Sequence, residues 1–532
     1  MASRISTISL SVEKDNCNAS TEETADFEKA MEICGNGRYQ YTVLLVCGVM
    51  FLCVGCEYGA NAYILPSAEC DLNMGSEEKG LLNVAFLLGS VISALFWGVF
   101  AGACGRRNIL LLSLFCDSIL TMIGSFSQNF NVFLVFRVLS GFLIGAPGSL
   151  LFTYLGEFHA EKHRAKSICF LGFFFTFAWL LLPGLAWIII PLPISFEFYG
   201  IQYSSWRVFL GAISLPIFII AMIFLMYPES PKFLVSQGKT DEALAILQKM
   251  YAVNTGRDKS EFPVKELLSD AEFELKKDKT PDSSSNMLTK LVKNIWWQLR
   301  TIVSPPFLKY AILLWTIYFT NMFGYYGFSL WQPELFNRFE SYHQSHPNVS
   351  VTVCELIHNT QSVNYTVLEE FVLLANGATT KCEPHIDERV FINSLTINAI
   401  CLFGNLISGY LANRVGRRTM PVTTMLIAGI AGVGMYFVKS SLQLLVTACI
   451  FSLMVATANV VLSSVAVDIF PTHISAVALC MMACLGRCGA VVSNLAFGML
   501  LDLSCEIPIF LLAAITIFGG MLSFLIPTKE KK

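Results

Sequence analysis

Four ionisable side chains stand inside long apolar stretches of this sequence: Glu57, Asp117, Arg137 and Arg487. At the centre of a bilayer such a group costs about 2.5–3.5 kcal/mol on insertion scales, so each needs a partner or a function. A carboxylate and a guanidinium can form an ion pair that holds helices together, or they can face a cavity and read a solute. Glu57 and Arg137 are expected to share one polar cluster at the wall of a central cavity, with a purely structural pair as the alternative. Arg487 is a further candidate for solute binding. Tyr58 and Asn61 follow Glu57 at i+1 and i+4, and Asn321, Tyr325, Tyr326 and Trp331 crowd a later apolar stretch. Trp187 lies between Pro183 and Pro191, and irregular backbone at membrane depth is tolerated where it lines a cavity. Glu157 and Asp468 sit at the ends of apolar runs, where a long side chain can reach the interface. Cys480, Cys484 and Cys488 recur on one helical face and read as inert packing rather than as a metal site.

The elements that must position these residues follow from composition. Hydrophobic residues make up 54% of the 532-residue chain and charged residues 14%, against about 25% in soluble domains. A net charge of −3 gives nucleic acid no basic face. The 17 cysteines are scattered, mostly within apolar runs, and suggest neither zinc nor redox chemistry. Roughly 20 apolar residues span a bilayer as a helix. Runs of that kind predict twelve spans, near 41–65, 80–101, 108–126, 131–154, 166–192, 206–227, 308–331, 390–412, 420–438, 441–464, 474–498 and 505–526. The expected fold is an all-α membrane protein of two six-helix bundles, 41–227 and 308–526. A polar tail (1–40), a central loop (228–307) and a short end (527–532) are expected in the cytoplasm.

Orientation follows from Lys and Arg in short loops. Arg106 and Arg107, the group Lys162, Arg164 and Lys166, and the group Arg414, Arg417 and Arg418 mark cytoplasmic loops, whereas 66–79 holds four acidic residues against Lys79. The long loop 334–388 then faces the lumen or exterior. It carries two glycosylation acceptors, Asn348 and Asn364. It also holds Cys354 and Cys382, expected to pair in an oxidising space, with Cys354–Cys70 as the rival bridge. In the central loop, Ala243, Leu244, Leu247 and Met250 form an apolar helical face expected to pack against the bundle.

An internal repeat stands out. Gly98-Val-Phe-Ala-Gly-Ala-Cys-Gly105-Arg106-Arg107 follows the second span, and Gly409-Tyr-Leu-Ala-Asn-Arg-Val-Gly416-Arg417-Arg418 follows the eighth. Glycines at 98 and 409 allow close helix approach, and the arginine pairs can meet carbonyls and headgroups. This repeated loop resembles the signature of the major facilitator superfamily, and Tyr227-Pro-Glu-Ser-Pro-Lys-Phe-Leu234 resembles a motif of its sugar and organic-ion porters. Leu65-Pro-Ser-Ala-Glu69, Trp187-Ile-Ile-Ile-Pro191, Ser205-Trp-Arg-Val208, Gly238-Lys-Thr-Asp-Glu-Ala243 and Tyr325-Tyr-Gly327 together resemble the synaptic vesicle glycoprotein 2 family. The resemblance implies two halves rocking about a central site, with Trp187 and Tyr325 at that site and Asp117 peripheral and structural. The sequence departs from the pattern where an acidic loop residue is expected: Gly102 and Asn413 stand there. The lumenal loop is also far shorter than in vertebrate members.

The function expected is therefore secondary or facilitated transport of a small organic ion or polar metabolite, with no cofactor and no catalysis. The alternative is a transport-incompetent vesicle glycoprotein that binds trafficking partners through its cytoplasmic tail. A plasma or vesicle membrane suits either.

Overall fold

The computed structural model describes residues 24–198, 201–267, 296–297, 299–305, 307–345, 352, 354, 386–416, 418–470, 472–504 and 506–527. Asn348, Asn364, Cys382 and Arg417 lie outside them, as does the side chain of Asp468. The chain divides into two compact units, Met1–Tyr39 with Pro231–Pro281, and Gln40–Ser230 with Asp282–Lys532.

The smaller unit folds the N-terminal region onto the central loop. Phe27, Ala30, Met31 and Cys34 recur at i, i+3, i+4 and i+7, which is the spacing of one helical face. They are the buried residues of α1 (Phe27–Cys34), whose N-terminus is capped by Asp26. The apolar run of the central loop is α10 (Thr240–Thr255), burying Ala243, Leu247 and Met250. Within its unit that face is covered by α1 and by α9 (Pro231–Ser236). Cys34 Sγ donates to the Leu247 carbonyl at 3.3 Å, and Asn254 Nδ2 donates to that of Cys34 at 3.0 Å. A short parallel pair, β1 (Thr24–Ala25) with β4 (Glu266–Leu267), closes the unit. Residues 1–40, expected to be a polar tail, thus contribute a packed helix.

The larger unit holds twelve long helices among the described residues. The first half contributes α2 (Arg38–Ser67), α4 (Ser76–Cys104), α5 (Arg106–Gly124), α6 (Phe130–Glu157), α7 (Glu161–Ile189) and α8 (Ser205–Phe224), with a single turn, α3 (Glu69–Leu72). The second half contributes α11 (Leu308–Ser329), α13 (Glu388–Val415), α14 (Thr419–Tyr436), α15 (Ser441–Ile469), α16 (Thr472–Leu500) and α17 (Glu506–Leu522). They match the twelve expected spans, and nine have an 18-residue window apolar enough to cross a bilayer. In hydrocarbon every backbone group must be satisfied within the segment, so helices are the solution such runs adopt. A further helix, α12 (Gln332–Ser345), opens the long loop after the seventh span. An antiparallel hairpin, β2 (Ser195–Phe198) with β3 (Ile201–Ser204), joins α7 to α8.

The sequence repeat is also a packing repeat. In the first half α6 packs on α4 and α5, and α5 on α8; in the second, α15 packs on α13 and α14, and α14 on α17. The turn glycines of the two loops share one backbone state, φ +90° at Gly105 and +102° at Gly416. Side-chain-bearing residues rarely enter that region, which accounts for glycine at both places. In the first loop Glu229, from the Pro-Glu-Ser-Pro segment, accepts from the backbone N–H groups of Arg106 and Arg107 at 3.1 and 3.0 Å and so caps α5. Arg106 pairs with Glu157 at 3.1 Å, and Arg107 Nη2 donates to the Leu225 carbonyl at 2.7 Å.

Candidate solute site between the two halves

The halves meet along α4 and α16. At one end Gly80 and Gly498 lie backbone to backbone: a Cβ built on either would stand 2.7 Å from the other's Cα. One turn further, Asn83 Nδ2 donates to Asn494 Oδ1 at 3.0 Å, and deeper still Arg487 Nη1 donates to the Ser90 carbonyl at 3.0 Å.

Beside the glycine contact, where loop 66–79 and α12 come together, a charged cluster joins the halves. Lys79 is fully buried and bonds Glu69 at 2.9 Å and Glu334 at 2.6 Å. Glu334 also accepts from Arg338 at 2.8 Å, and Arg338 reaches Asp502 at 3.3 Å and Ser76 Oγ at 2.9 Å. Lys79 keeps Glu69 in its own half, and Glu334 keeps Arg338 in its own. The bond between the halves can therefore break without leaving either charge alone, which avoids the large penalty of an unpaired buried ion.

Burial would raise the Glu334 pKa, but Lys79 and then Arg338 outweigh it and hold the carboxyl at about 2, against an ordinary 4.5. A folded-state pKa below the unfolded one stabilises above the unfolded value and is lost only as pH falls through the folded one. The cluster should therefore be insensitive to mild acid. We expect Glu334→Gln to lower the melting temperature by the same amount at about pH 7 and about pH 5.5. Scanning fluorimetry of both proteins checks this; a gap that halves at the lower pH counts against it.

A cavity of about 100 Å³ lies between α7 of the first half and α11, α13 and α15 of the second. Phe175, Trp179, Tyr325 and Tyr326 form its aromatic wall, with the Trp179 ring 5.9 Å from that of Tyr325 and 6.3 Å from that of Tyr326, both edge-on. Gln332, Asn398, Asn405, Ser452 and Asn459 supply polar groups, and none of the lining residues carries a charge. Two buried polar atoms of this wall, Trp179 Nε1 and Ser452 Oγ, have no hydrogen-bond partner. Buried polar atoms are ordinarily satisfied, so an aromatic cavity whose lining residues hold an unpartnered indole N–H and hydroxyl suits a small polar solute.

The buried charges of the first half lie away from this cavity. Arg137 Nη1 donates to Glu57 Oε2 at 3.0 Å, and its Nε donates to Asn61 Oδ1 at 3.0 Å. Asn61 is fixed in turn by donating to the Leu82 carbonyl at 3.1 Å, and the guanidinium stacks 5.0 Å over Phe86. Glu57 and Arg137 are buried, and neither lines the cavity. Asp117 accepts from Ser140 Oγ at 2.7 Å. Tyr58 packs against Phe86, Phe175 and Tyr326, which places it between the ion pair and the aromatic wall.

Of the other expected site residues, Tyr325 lines the cavity, and Asn321 is buried in α11 with neither amide atom bonded. Trp187 is 37% exposed near the end of α7 and does not line the cavity; Trp179, two turns earlier on the same helix, does. The prolines drew attention to Trp187, whereas helical spacing from Phe175 was the signal for Trp179. The asparagines at 398, 405 and 459 are not among the expected site residues, because no charge or aromatic cluster beside them in the sequence marks them as Glu57 marks Asn61. Glu334 and Arg338 carry no such signal either, and in sequence Lys79 reads only as a loop charge. No C-x-x-C pair is expected from the scattered cysteines, yet Cys53-Val-Gly-Cys56 is one; both thiols are buried and free. Cys354 is disulfide-bonded, and so is Cys70. The other described cysteines are free thiols, and Cys382, the partner expected for Cys354, lies outside the described residues.

The profile of the Major Facilitator Superfamily matches residues 47–354 and 384–532. Synaptic vesicle glycoprotein 2C of Mus musculus is 27% identical over 593 residues, covering 96% of this chain and 81% of that protein. Synaptic vesicle glycoprotein 2B of Homo sapiens is 26% identical over 596 residues, covering 95% and 86%. The inward open conformation of the xylose transporter XylE from E. coli superposes with a TM-score of 0.65 at 15% identity, over 93% of this chain and 98% of that one. A bacterial homolog of the human lysosomal transporter Spinster, in an inward-facing conformation, gives 0.63 at 12% identity over 92% and 98%. With the repeated loop, the paired six-helix halves and a profile match over most of its length, the chain belongs to the Major Facilitator Superfamily.

Proposed function

We propose that this protein carries a small polar organic solute across a membrane by alternating access, with the cavity between α7 and α11, α13 and α15 as the solute site. The observation that carries this is the cavity's position between the halves, together with its unpartnered Trp179 N–H and Ser452 hydroxyl. A solute there offers a flat face to Trp179 and Tyr325 and hydrogen-bonding groups to the amide side chains. The xylose transporter with the same fold supports a transport role. The test is uptake from a mixture of small metabolites by liposomes holding the purified protein, read by mass spectrometry. At least one compound is expected to accumulate, and Trp179→Ala should lower that uptake about tenfold, the loss of roughly 1.4 kcal/mol of binding. Uptake by the parent protein no greater than by protein-free liposomes, or undiminished in Trp179→Ala, would remove this reading.

A second reading is a vesicle glycoprotein that serves as a scaffold. It is supported by the names of the relatives and by the folded unit of α1, α9 and α10, which offers a structured surface for partners. A scaffold predicts no protein-dependent uptake of any compound.

In either case we place both termini and the smaller unit in the cytoplasm and 334–388 in the lumen or exterior. Glycosidase treatment should lower the apparent mass, and the double variant Asn348→Gln, Asn364→Gln should abolish that change. A shift persisting in the double variant reverses the orientation.

A further inference from the structure

Arg137 and Arg487 stand inside long helices of the larger unit, and their guanidinium groups are treated differently. Arg137 is neutralised by Glu57 at 3.0 Å. Arg487 has no carboxylate partner among the described residues, and its hydrogen bond is to the backbone carbonyl of Ser90 in the opposite half. A guanidinium carries five N–H donors in a planar fork, so most of its donors remain for something else. It is half-buried rather than sealed. It crosses to α4 through Ser90, and its Nη2 would stand 3.8 Å from a Cβ on Gly148 of α6. The rings of Tyr58 and Tyr326 lie 6.4 Å apart. Tyr326 also lines the cavity, and the hydroxyl of Tyr58 is buried with no partner.

Resting on the transport reading above, we infer that the solute is an anion, a small carboxylic acid whose carboxylate is held by Arg487 while its uncharged body occupies the aromatic cavity. A bare guanidinium inside a membrane protein needs a counter-charge, and a fork of parallel N–H groups fits a carboxylate in bidentate fashion. The cavity supplies no charge of its own, so the two parts divide the recognition: shape and amide contacts for the body, charge for the end. The same guanidinium chemistry could instead hold a chloride ion that never leaves with the solute, and the experiment separates these sources.

The test is a melting-temperature screen of the full-length purified protein in chloride-free buffer. The probes are carboxylic acids matched with their own primary amides, among them nicotinate with nicotinamide and benzoate with benzamide, and chloride alone as a separate arm. At least one acid should raise the melting temperature while its amide does not. The preference should vanish in Arg487→Gln and persist in part in Arg487→Lys, which keeps a point charge but loses the fork. Three results would overturn the inference: amides matching their acids throughout the panel, an acid effect unchanged in Arg487→Gln, or chloride alone reproducing the stabilisation. A ligand-free measurement covers the case of a poorly folded variant. Cys484, a free and half-buried thiol one turn from Arg487, should react faster with a negatively charged methanethiosulfonate than with a positive one once Cys480 and Cys488 are serine. Equal rates would also overturn it. Acid binding without uptake would sink the transport reading and leave this one standing, whereas uptake of a neutral amide unaffected by Arg487→Gln would do the reverse.

Discussion

Glu57→Gln destabilises the protein by about 3–5 kcal/mol, and Arg137→Gln added to it restores more than half of that loss. Both side chains are buried and held at 3.0 Å. Neutralising the carboxylate takes away the ion-pair partner of the guanidinium and leaves it one hydrogen-bond acceptor, Asn61 Oδ1. The guanidinium is bonded to Glu57 and Asn61, whereas Asp117 accepts from Ser140 Oγ at 2.7 Å, one turn along α6 from Arg137. Replacing both charges removes the stranded ion and keeps the shape, so the double variant should resemble the parent. Thermal unfolding in detergent, read for the two single variants and the double, completes the cycle. A double variant no more stable than Glu57→Gln alone would show that the charges act independently, and the pair would lose its structural role.

The second large effect is expected at the glycine contact. Gly80→Trp and, separately, Gly498→Trp should hold the halves apart at the end where loop 66–79 meets α12. A single Cβ at either position already comes within 2.7 Å of the opposing backbone, and it has no side chain to push aside. An indole cannot be housed without separating α4 from α16. Substitution should act in the order alanine, leucine, tryptophan. The measurement is the reaction of a membrane-impermeant thiol reagent, applied from the loop-66–79 side, with a cysteine placed at Asn83, which now bonds Asn494. Its rate should rise at least about tenfold in either tryptophan variant, a shift of roughly 1.4 kcal/mol in the balance of open and closed forms. An unchanged rate would mean that the contact is incidental to the closure of that face.

These expectations rest on features that differ in how visible they are in sequence. The spans are legible because a bilayer demands long apolar runs, and the repeat because a positive φ selects glycine at Gly105 and Gly416 alike. The pairing of Glu57 with Arg137 is legible for the same energetic reason: a charge in an apolar run must find an opposite one. The cavity is not. Its walls are Trp179, Asn398, Asn405, Asn459 and Ser452, residue types that apolar helices hold in many uncharged positions. Only the crossing of four helices from two halves brings them together. Lys79 was visible as a residue but not as a buried bridge, since its partner Glu334 stands 255 residues away and belongs to a helix that sequence read as loop.

The burial of α1 against α10 has a consequence for how the protein is made. The apolar face of Phe27, Ala30, Met31 and Cys34 is covered by residues of 231–255, which leave the ribosome roughly 200 residues later. At about 5–20 residues per second that is a wait of about 10–40 s, during which six spans are inserted while the N-terminal helix has nothing to fold upon. A chaperone that masks this face during translation is then a natural requirement of biosynthesis. A bulky fusion at the N-terminus would tax maturation long before it touched any step of the mature protein's cycle.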